Sequence, residues 1–233
     1  MIIEEHNYKG IKFLCRKGTS DLKTFEEVVK RNVYERGDFK IKPKEHWIDL
    51  GGNVGAFAVL AISKGATIDI YEPDPFNCKM IERNLKINNM KAVIHQKAVV
   101  ASDKKSMVMY VGNNMQVWRN SLYKDWGNEK FEVECIHHSQ VLNNSDNCVK
   151  MDIEGAEMPI LESMKIFPNK MVFEWSFDID ARIERYKKII NKIRKKYKNV
   201  KEQDKRFYNL PDYIVPNIFR VKANNIYCYN KIT

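Results

Sequence analysis

The sequence has no long hydrophobic run. Its longest apolar stretch, Ala56 to Ile62, falls far short of the about 20 residues that a membrane-spanning helix needs. That excludes a helical membrane protein. The first residues, Met1-Ile2-Ile3-Glu4-Glu5-His6, hold no basic segment followed by an apolar one, so no secretory leader is expected. Cysteine is sparse: five residues (Cys15, Cys78, Cys135, Cys148, Cys228), widely spaced and odd in number. Without a C-x-x-C or Cys/His ligand spacing, neither a zinc site nor a disulfide framework is expected. A soluble, cytoplasmic protein in a reducing compartment is the simplest expectation. Internal repeats, low-complexity tracts and Pro/Gly-rich linkers are also missing, which argues against an array or two tethered halves.

Excess charge is missing from most of the chain as well. The net charge is +10, yet between Arg182 and Arg206 twelve basic residues face three acids, so nine of the ten charges lie in one segment. A surface coated in positive charge for wrapping a duplex is therefore excluded, and one basic face remains. What the chain does have is ordinary globular material: 233 residues, 44% hydrophobic and 11% aromatic. That is enough for one large domain without a metal or disulfide staple.

Strands and helices alternate along it. Residues 1–43 form a lead-in with a helical pattern from Asp21, the expected N-cap, to about Arg36, with Phe25, Val28, Val29 and Val33 at helical spacing. The core follows over residues 44–233. Trp47 to Leu50 reads as a buried strand, Val54 to Lys64 as a helix stopped by Gly65, Thr67 to Tyr71 as a second strand, Pro75 to about Asn88 as a helix, and Val93 to Gln96 as a third strand. Met107 to Val111 and Phe131 to Ile136 read as an inserted pair of strands, joined by a polar loop with Trp118 and Trp126. The βα rhythm then returns with Cys148 to Asp152, a helix near Met158 to Met164, the strand Met171 to Trp175, a basic helix and the strand Asn225 to Tyr229. This pattern predicts a doubly wound, mostly parallel sheet with helices on both faces and a β insertion after strand three. In such sheets, ligands bind at the carboxyl ends of the strands.

The first strand ends Asp49-Leu50-Gly51-Gly52-Asn53-Val54-Gly55. The glycines let the backbone turn closely past a ligand, and the helix beyond offers free N–H groups. The spacing does not fit G-x-G-x-x-G. The acid two residues before the first glycine would repel a pyrophosphate and suits a ligand with ammonium and sulfonium charges, which points to S-adenosylmethionine. The second strand ends Tyr71-Glu72-Pro73, with Glu72 placed to accept both hydroxyls of a ribose.

These motifs, taken together, resemble the FkbM-type S-adenosylmethionine-dependent methyltransferases. The likeness rests on Trp47 to Gly55, on Tyr71-Glu-Pro-Asp-Pro75, on Asn84 and Asn88, and most of all on Val149-Lys-Met-Asp-Ile-Glu-Gly-Ala-Glu157 with Val172-Phe-Glu174. Val28 to Tyr34 resembles the family's Tyr-ended lead-in helix and Asn120-Ser121-Leu122 its Asn-Ser-Leu loop. Where the family has a Thr-Leu-Asp stretch, this chain reads His138-Ser-Gln-Val-Leu142. The resemblance implies a seven-stranded Rossmann-like methyltransferase sheet and O-methylation, commonly of sugar or natural-product hydroxyls. It also implies that Asp49, Gly51, Asn53 and Gly55 hold the methionine part of the cofactor and Glu72 the ribose, with Gly52 and Pro73 also among the cofactor-binding residues. Gln96, Lys97 and Ala98 then border the adenine. Ser121, with Asn120, either hydrogen-bonds the cofactor's carboxylate or caps a turn.

Methyl transfer to a hydroxyl needs in-line alignment and a base. Asp152, Glu154 and Glu157 cluster at the fourth strand's end, and Glu174 ends the neighbouring strand. Such crowding raises a carboxyl pKa, which makes Asp152 or Glu154 the candidate base, with Lys150 and Glu174 as further catalytic candidates. Glu157 alternatively favours a helix N-terminus. Carboxylates in such a group also suit a divalent cation, but with no histidine spacing no metal is assigned. His137-His138 is a weaker source of a base. Trp118, Tyr123 and Trp126 form either a sugar-stacking wall or the insert's own core. The charge favours a different acceptor, RNA, through a Lys-Asp-Lys-Glu set drawing on Lys42, Lys44, Lys150, Lys165 or Lys170. A catalytically silent partner subunit is a third reading. On the basic segment, Ile183, Tyr186, Ile189, Ile190, Ile193, Tyr197 and Val200 make one apolar stripe, so that helix is expected to pack on the sheet with its lysines in water.

Overall fold

The computed structural model describes residues 2–112, 120–125, 129–177, 179, 182–205 and 223–230. Trp118 and Trp126, two of the three aromatics of the proposed sugar wall, lie outside the described residues.

The chain opens with a hairpin that the sequence reading did not anticipate. Strands β1 (Ile3–Tyr8) and β2 (Ile11–Arg16) pair antiparallel. Their two-residue turn puts Lys9 at φ 50° and Gly10 at φ 86°, the positive angles that suit a tight hairpin. Helix α1 (Asp21–Phe25) follows and continues as one π-helical turn, Glu26–Lys30. The lead-in helix is thus shorter than the pattern suggested, and Tyr34 lies beyond its end. Asp21 is not the N-cap. That position is Ser20, and the Asp21 carboxylate instead accepts from the Arg16 Nε at 2.8 Å and from the Arg16 backbone N–H at 2.9 Å.

Strand β3 (His46–Leu50), helix α2 (Ala56–Ser63), strand β4 (Thr67–Tyr71), helix α3 (Pro75–Ile87) and strand β5 (Val93–His95) then alternate as expected. The insertion comes next: β6 (Ala98–Val100), β7 (Ser106–Tyr110) and β8 (Lys130–His137) form their own three-stranded sheet, in the order β6-β8-β7. The short helix α4 (His138–Val141) leads back to β9 (Cys148–Met151), α5 (Glu157–Ser163), β10 (Lys170–Ser176), α6 (Ile183–Arg194), β11 (Asn199–Glu202) and β12 (Ala223–Tyr229). The main sheet has seven strands in the order β11-β12-β10-β9-β3-β4-β5. Its strands β5, β4, β3, β9 and β10 run parallel, and β12 is antiparallel to both β10 and β11. The order reverses between β3 and β9, so the gap beyond their carboxyl ends is where a ligand is expected.

Alternation along the strands separates the two cores. Ile48, Leu50, Val149, Met151, Met171, Phe173 and Trp175 face α5 and α6, while Trp47, Cys148 and Val172 face α1, α2 and α3. Asp49, Lys150 and Glu174 have the parity of the second group, so they emerge on the α1–α2 side. Helix α6 packs on the opposite side through Ile183, Tyr186, Ile189, Ile190 and Ile193, all buried, as its stripe predicts. The helix ends at Arg194, however, and Val200 belongs to strand β11. Its charges also have local uses. Lys192 donates to the carbonyls of Leu161, Glu162 and Met164 at the end of α5, Arg185 pairs with Glu162, and Arg194 with Glu202. All five cysteines are buried and free, and burial pushes the Cys15, Cys78 and Cys148 thiols up to about 12, which makes them inert at neutral pH.

The hairpin is held to α3 by two asparagines one helical turn apart. Asn84 accepts from the Leu14 N–H at 2.7 Å and donates to the Leu14 carbonyl at 3.3 Å and the Val54 carbonyl at 2.9 Å. Asn88 treats Lys12 the same way, at 2.9 and 2.7 Å. Asn84 is fully buried, so Asn84→Ala strands three backbone groups and is expected to cost about 2–3 kcal/mol, a drop in Tm of about 4–12 °C. Asn88→Ala, at a half-buried site, should cost less than half as much. Thermal unfolding followed by circular dichroism checks both, and equal small losses would count against this account of the hairpin.

Candidate active site

Two clefts open at the carboxyl ends of the central strands. The first, with an empty volume of about 570 Å³, lies between Tyr71, Glu72 and Pro73 on one side and Lys97, Ala98 and Val99 on another, with Met109, Leu122, Ile153 and Ala156 as apolar lining. The second, about 1130 Å³, is walled by Lys23, Thr24, Val28, Tyr34 and Phe57 above the sheet and by Lys150, Glu174 and Asn225 from its strands. Gly51, Asn53, Asp152 and Glu154 line both. The clefts therefore meet at the ends of β3 and β9.

The glycine turn is built for closeness. Gly51 takes φ 83°, and a Cβ there would stand 1.9 Å from the Asp152 carbonyl oxygen; at Gly52 it would stand 2.3 Å from the Ile70 side chain. Gly55 lines neither cleft: at φ 86° it starts α2 and lets that helix approach Ile81 of α3. Glu72, at the end of β4, is 5% exposed. It accepts from the backbone N–H groups of Asn53 at 2.7 Å and Asp74 at 2.9 Å. Burial outweighs these bonds and pushes its carboxyl up to about 7. Beyond it, Asn77 donates to Glu72 at 3.4 Å and accepts from Arg16 at 2.9 Å. A buried polar chain thus joins Glu72 to Asp21 at the start of α1, a link that no spacing in the sequence signals.

Asp49 lines neither cleft. It lies wholly buried beneath the site, where Lys150 meets it at 3.0 Å. The two residues are register partners on β3 and β9, so their side chains share a face. The Lys150 ammonium also donates to the carbonyls of Gly51 at 2.5 Å and Leu50 at 3.4 Å. Burial opposes the Lys150 charge, but Asp49 and Asp152 together raise its pKa.

Asp152 accepts from the Tyr34 hydroxyl at 2.6 Å. Burial, then the carboxylates of Asp152 and Glu157, hold the Glu174 carboxyl well above the usual range, so Glu174 is a lifted carboxyl of this cluster. Carboxylate oxygens of Asp152, Glu154 and Glu174 lie within 4.8 Å of one another. Glu157, the first residue of α5, points elsewhere: it accepts from the N–H groups of Ile153 at 2.6 Å and Gly155 at 2.8 Å, and burial pushes it up to about 7. It shapes the loop that carries Asp152 and Glu154, the latter at φ 51°.

Lys97, Ala98 and Pro73 line the first cleft as expected, whereas Gln96 is exposed and lines neither. Ser121 is buried, donates to the Glu154 carbonyl at 2.5 Å and accepts from the N–H groups of Tyr123 and Lys124, which makes it a turn-former. Asn120 does reach the first cleft, and it donates to Asp74 at 2.9 Å. His138, lowered to about 4 by burial, contacts Ser163, and neither it nor His137 lines a cleft. Of the lysines weighed for an RNA site, only Lys150 is present here. Lys170 starts β10 and pairs with Glu45, Lys42 and Lys44 precede β3, and Lys165 follows α5. These four sit at the amino ends of the strands, opposite the end at which Glu174 lies.

A seven-stranded sheet with one antiparallel strand, a glycine turn after β3 and an acid ending β4 define an S-adenosylmethionine-dependent methyltransferase. A family model described as the methyltransferase FkbM domain matches residues 49–206. The chain belongs to that family. No curated protein matches it. Among solved structures it is similar to an S-adenosylmethionine-dependent methyltransferase from Agrobacterium tumefaciens, with 10% identity, TM-score 0.52, and 98% of this chain and 70% of that one covered. It also matches TYW2 from P. horikoshii in complex with MeSAdo (13% identity, TM-score 0.43, 97% and 69% covered). A third match is the Pyrococcus abyssi tRNA (uracil-54, C5)-methyltransferase with S-adenosyl-L-homocysteine (12% identity, TM-score 0.46, 97% and 43% covered). At these identities the likeness is one of fold. No helix among the described residues is long and apolar enough to cross a membrane.

The cofactor of this class, S-adenosylmethionine, fits the first cleft. Its apolar sides suit a flat base, the Glu72 carboxylate suits vicinal hydroxyls, and the turn at Gly51 and Gly52 has no room for a Cβ.

Two predictions follow from the buried charges. The folded state holds the Glu72 proton up to about 7, against 4.5 for the free side chain. Glu72 therefore favours folding most below pH 4.5, and that contribution is lost as pH rises through 7. Relative to the natural protein, Glu72→Gln should gain stability over that interval by on the order of 3 kcal/mol, read by chemical denaturation at several pH values. Lys150→Met leaves Asp49 buried without its cation and should cost about 3–5 kcal/mol. Adding Asp49→Asn should restore part of this loss in the same assay.

Proposed function

We propose that the protein is an O-methyltransferase that modifies a hydroxyl of a small molecule or carbohydrate. The observation that carries this reading is the meeting of the two clefts at Asp152 and Glu154. S-adenosylmethionine supplies a methyl group already activated on a sulfonium. Glu72, Pro73, Asn53, Lys97 and Ala98 bind and orient that cofactor. Val28, Tyr34 and Phe57 form an apolar wall that excludes water above the second cleft, while Lys23, Thr24 and Asn225 offer polar partners to a hydroxyl-rich acceptor. Asp152 takes the acceptor's proton, and Tyr34 fixes its orientation through the 2.6 Å hydrogen bond. Alignment and water exclusion supply most of the acceleration in such a displacement, and a positioned base adds about 10²–10⁴-fold.

Support for an acceptor other than RNA comes from the lysines. Four of the five that an RNA-type site would draw on stand at the amino ends of the strands, away from the clefts, and α6, with its basic residues, packs on the face away from Tyr34. The test is methyl transfer from labelled cofactor to a panel of glycans, natural-product alcohols and capped RNA. Label is expected on an alcohol, and Asp152→Asn should lower kcat by about 10²–10⁴-fold while S-adenosylhomocysteine still binds by calorimetry. Label on RNA alone would replace this reading. Absence of S-adenosylhomocysteine binding would support a silent partner subunit.

A further inference from the structure

We propose that the second cleft holds a hard divalent cation, Mg²⁺ or Mn²⁺, between β9, β10 and β12. Three carboxylates supply the first donors: Asp152, Glu154 and Glu174, with one oxygen of each inside a 4.8 Å group. Three acids alone occur often without an ion, and the fourth residue is what singles out this group. Asn225 is 8% exposed and its Oδ1 is buried, accepting no hydrogen bond. A buried amide oxygen is rarely left without a donor or a cation to bind it. Asn225 stands opposite Glu174 in the antiparallel pairing of β10 and β12, so the two side chains share a face. Both line the cleft that Asp152 and Glu154 also line.

The donor set is all oxygen, with no sulfur or imidazole, which selects Mg²⁺, Mn²⁺ or Ca²⁺ over zinc or copper. A few protein oxygens with positions left for water or substrate is the pattern of Mg²⁺ and Mn²⁺ sites, since Mg²⁺ keeps several waters. Lys150, beneath the cleft, is already paired with Asp49 and donates to the Gly51 and Leu50 carbonyls. An ion at this point neutralises carboxylates that otherwise repel one another. A hydroxyl oxygen that it holds loses its proton more readily; that consequence alone rests on the O-methyltransferase reading.

The experiment is Mn²⁺ titration of the full chain without cofactor, followed by electron paramagnetic resonance of free Mn²⁺ and by calorimetry, with Mg²⁺ as competitor. One site per chain is expected, displaced by Mg²⁺. Glu174→Gln and Asn225→Leu should each weaken it by at least about tenfold, with circular dichroism and S-adenosylhomocysteine binding confirming that each variant is folded. Glu184→Gln, exposed on α6 and remote from the donor set, should leave the affinity within about twofold. Absence of binding at millimolar Mn²⁺, or affinity unchanged in both Glu174→Gln and Asn225→Leu, overturns the proposal. Turnover that survives a chelator, in a protein that binds no Mn²⁺, overturns this site while leaving the methyltransferase reading intact. Mn²⁺ binding without turnover on any alcohol does the reverse.

Discussion

The Lys150–Asp49 ion pair is the constraint on which the site depends. It joins two strands whose order reverses beside it, with both side chains at 5% exposure or less. Buried pairs of this kind seldom add stability over an apolar replacement. What this one provides is position. By donating to the Leu50 and Gly51 carbonyls as well as to Asp49, Lys150 fixes the end of β3 just where the chain turns. Glu72 then fixes the far side of the same turn through the Asn53 N–H. The glycine turn lies between those two anchors, and Gly51 and Asn53 give both clefts part of their common wall.

The acids of this region divide into two kinds. Glu72, at the wall of the first cleft, and Glu157, fully buried, each accept two backbone N–H groups, so they act as struts for loops. Asp152, Glu154 and Glu174 face the second cleft. The same fact explains why burial affects them differently. A strut has peptide dipoles to favour its charge, whereas Glu174 has two neighbouring carboxylates and one serine. Tyr34, brought in from the lead-in segment, completes the cleft-facing group by donating to Asp152.

Much of this was legible in the sequence because it is local. Trp47 to Leu50, Thr67 to Tyr71 and Met171 to Trp175 are short apolar runs between helical patterns, and they form β3, β4 and β10 within a residue or so. Glu72 at a strand end and the carboxylates after β9 could be placed from the chain alone. What stayed hidden is what depends on distance across the fold. Asp49 reads as a ligand for the cofactor until a lysine about a hundred positions later lands beside it. Ser121 reads either as a cofactor contact or as a turn cap, and the insertion folds it onto the Glu154 carbonyl. The hairpin escaped notice because Lys9-Gly10 is a weak turn signal and because β2 mixes inward and outward apolar residues. The lead-in helix was overextended because a π-helical turn ends it before Val33, which the helical spacing had included.

The hairpin has one more property. A two-stranded ribbon exposes two rows of peptide groups, and each open row is a template onto which another chain can zip. Along the outer row of β2, the N–H groups of Lys12, Leu14 and Arg16 are taken by the side chains of Asn88, Asn84 and Asp21. The carbonyls of Lys12, Leu14 and Arg16 are met by Asn88, Asn84 and Thr19. Four side chains thus act as a surrogate strand, and the two asparagines match it because four residues of helix, about 6 Å, nearly equal the two-residue repeat of a strand, about 6.7 Å. A row that would otherwise invite edge-to-edge association is sealed by the protein's own amides, carboxylate and hydroxyl.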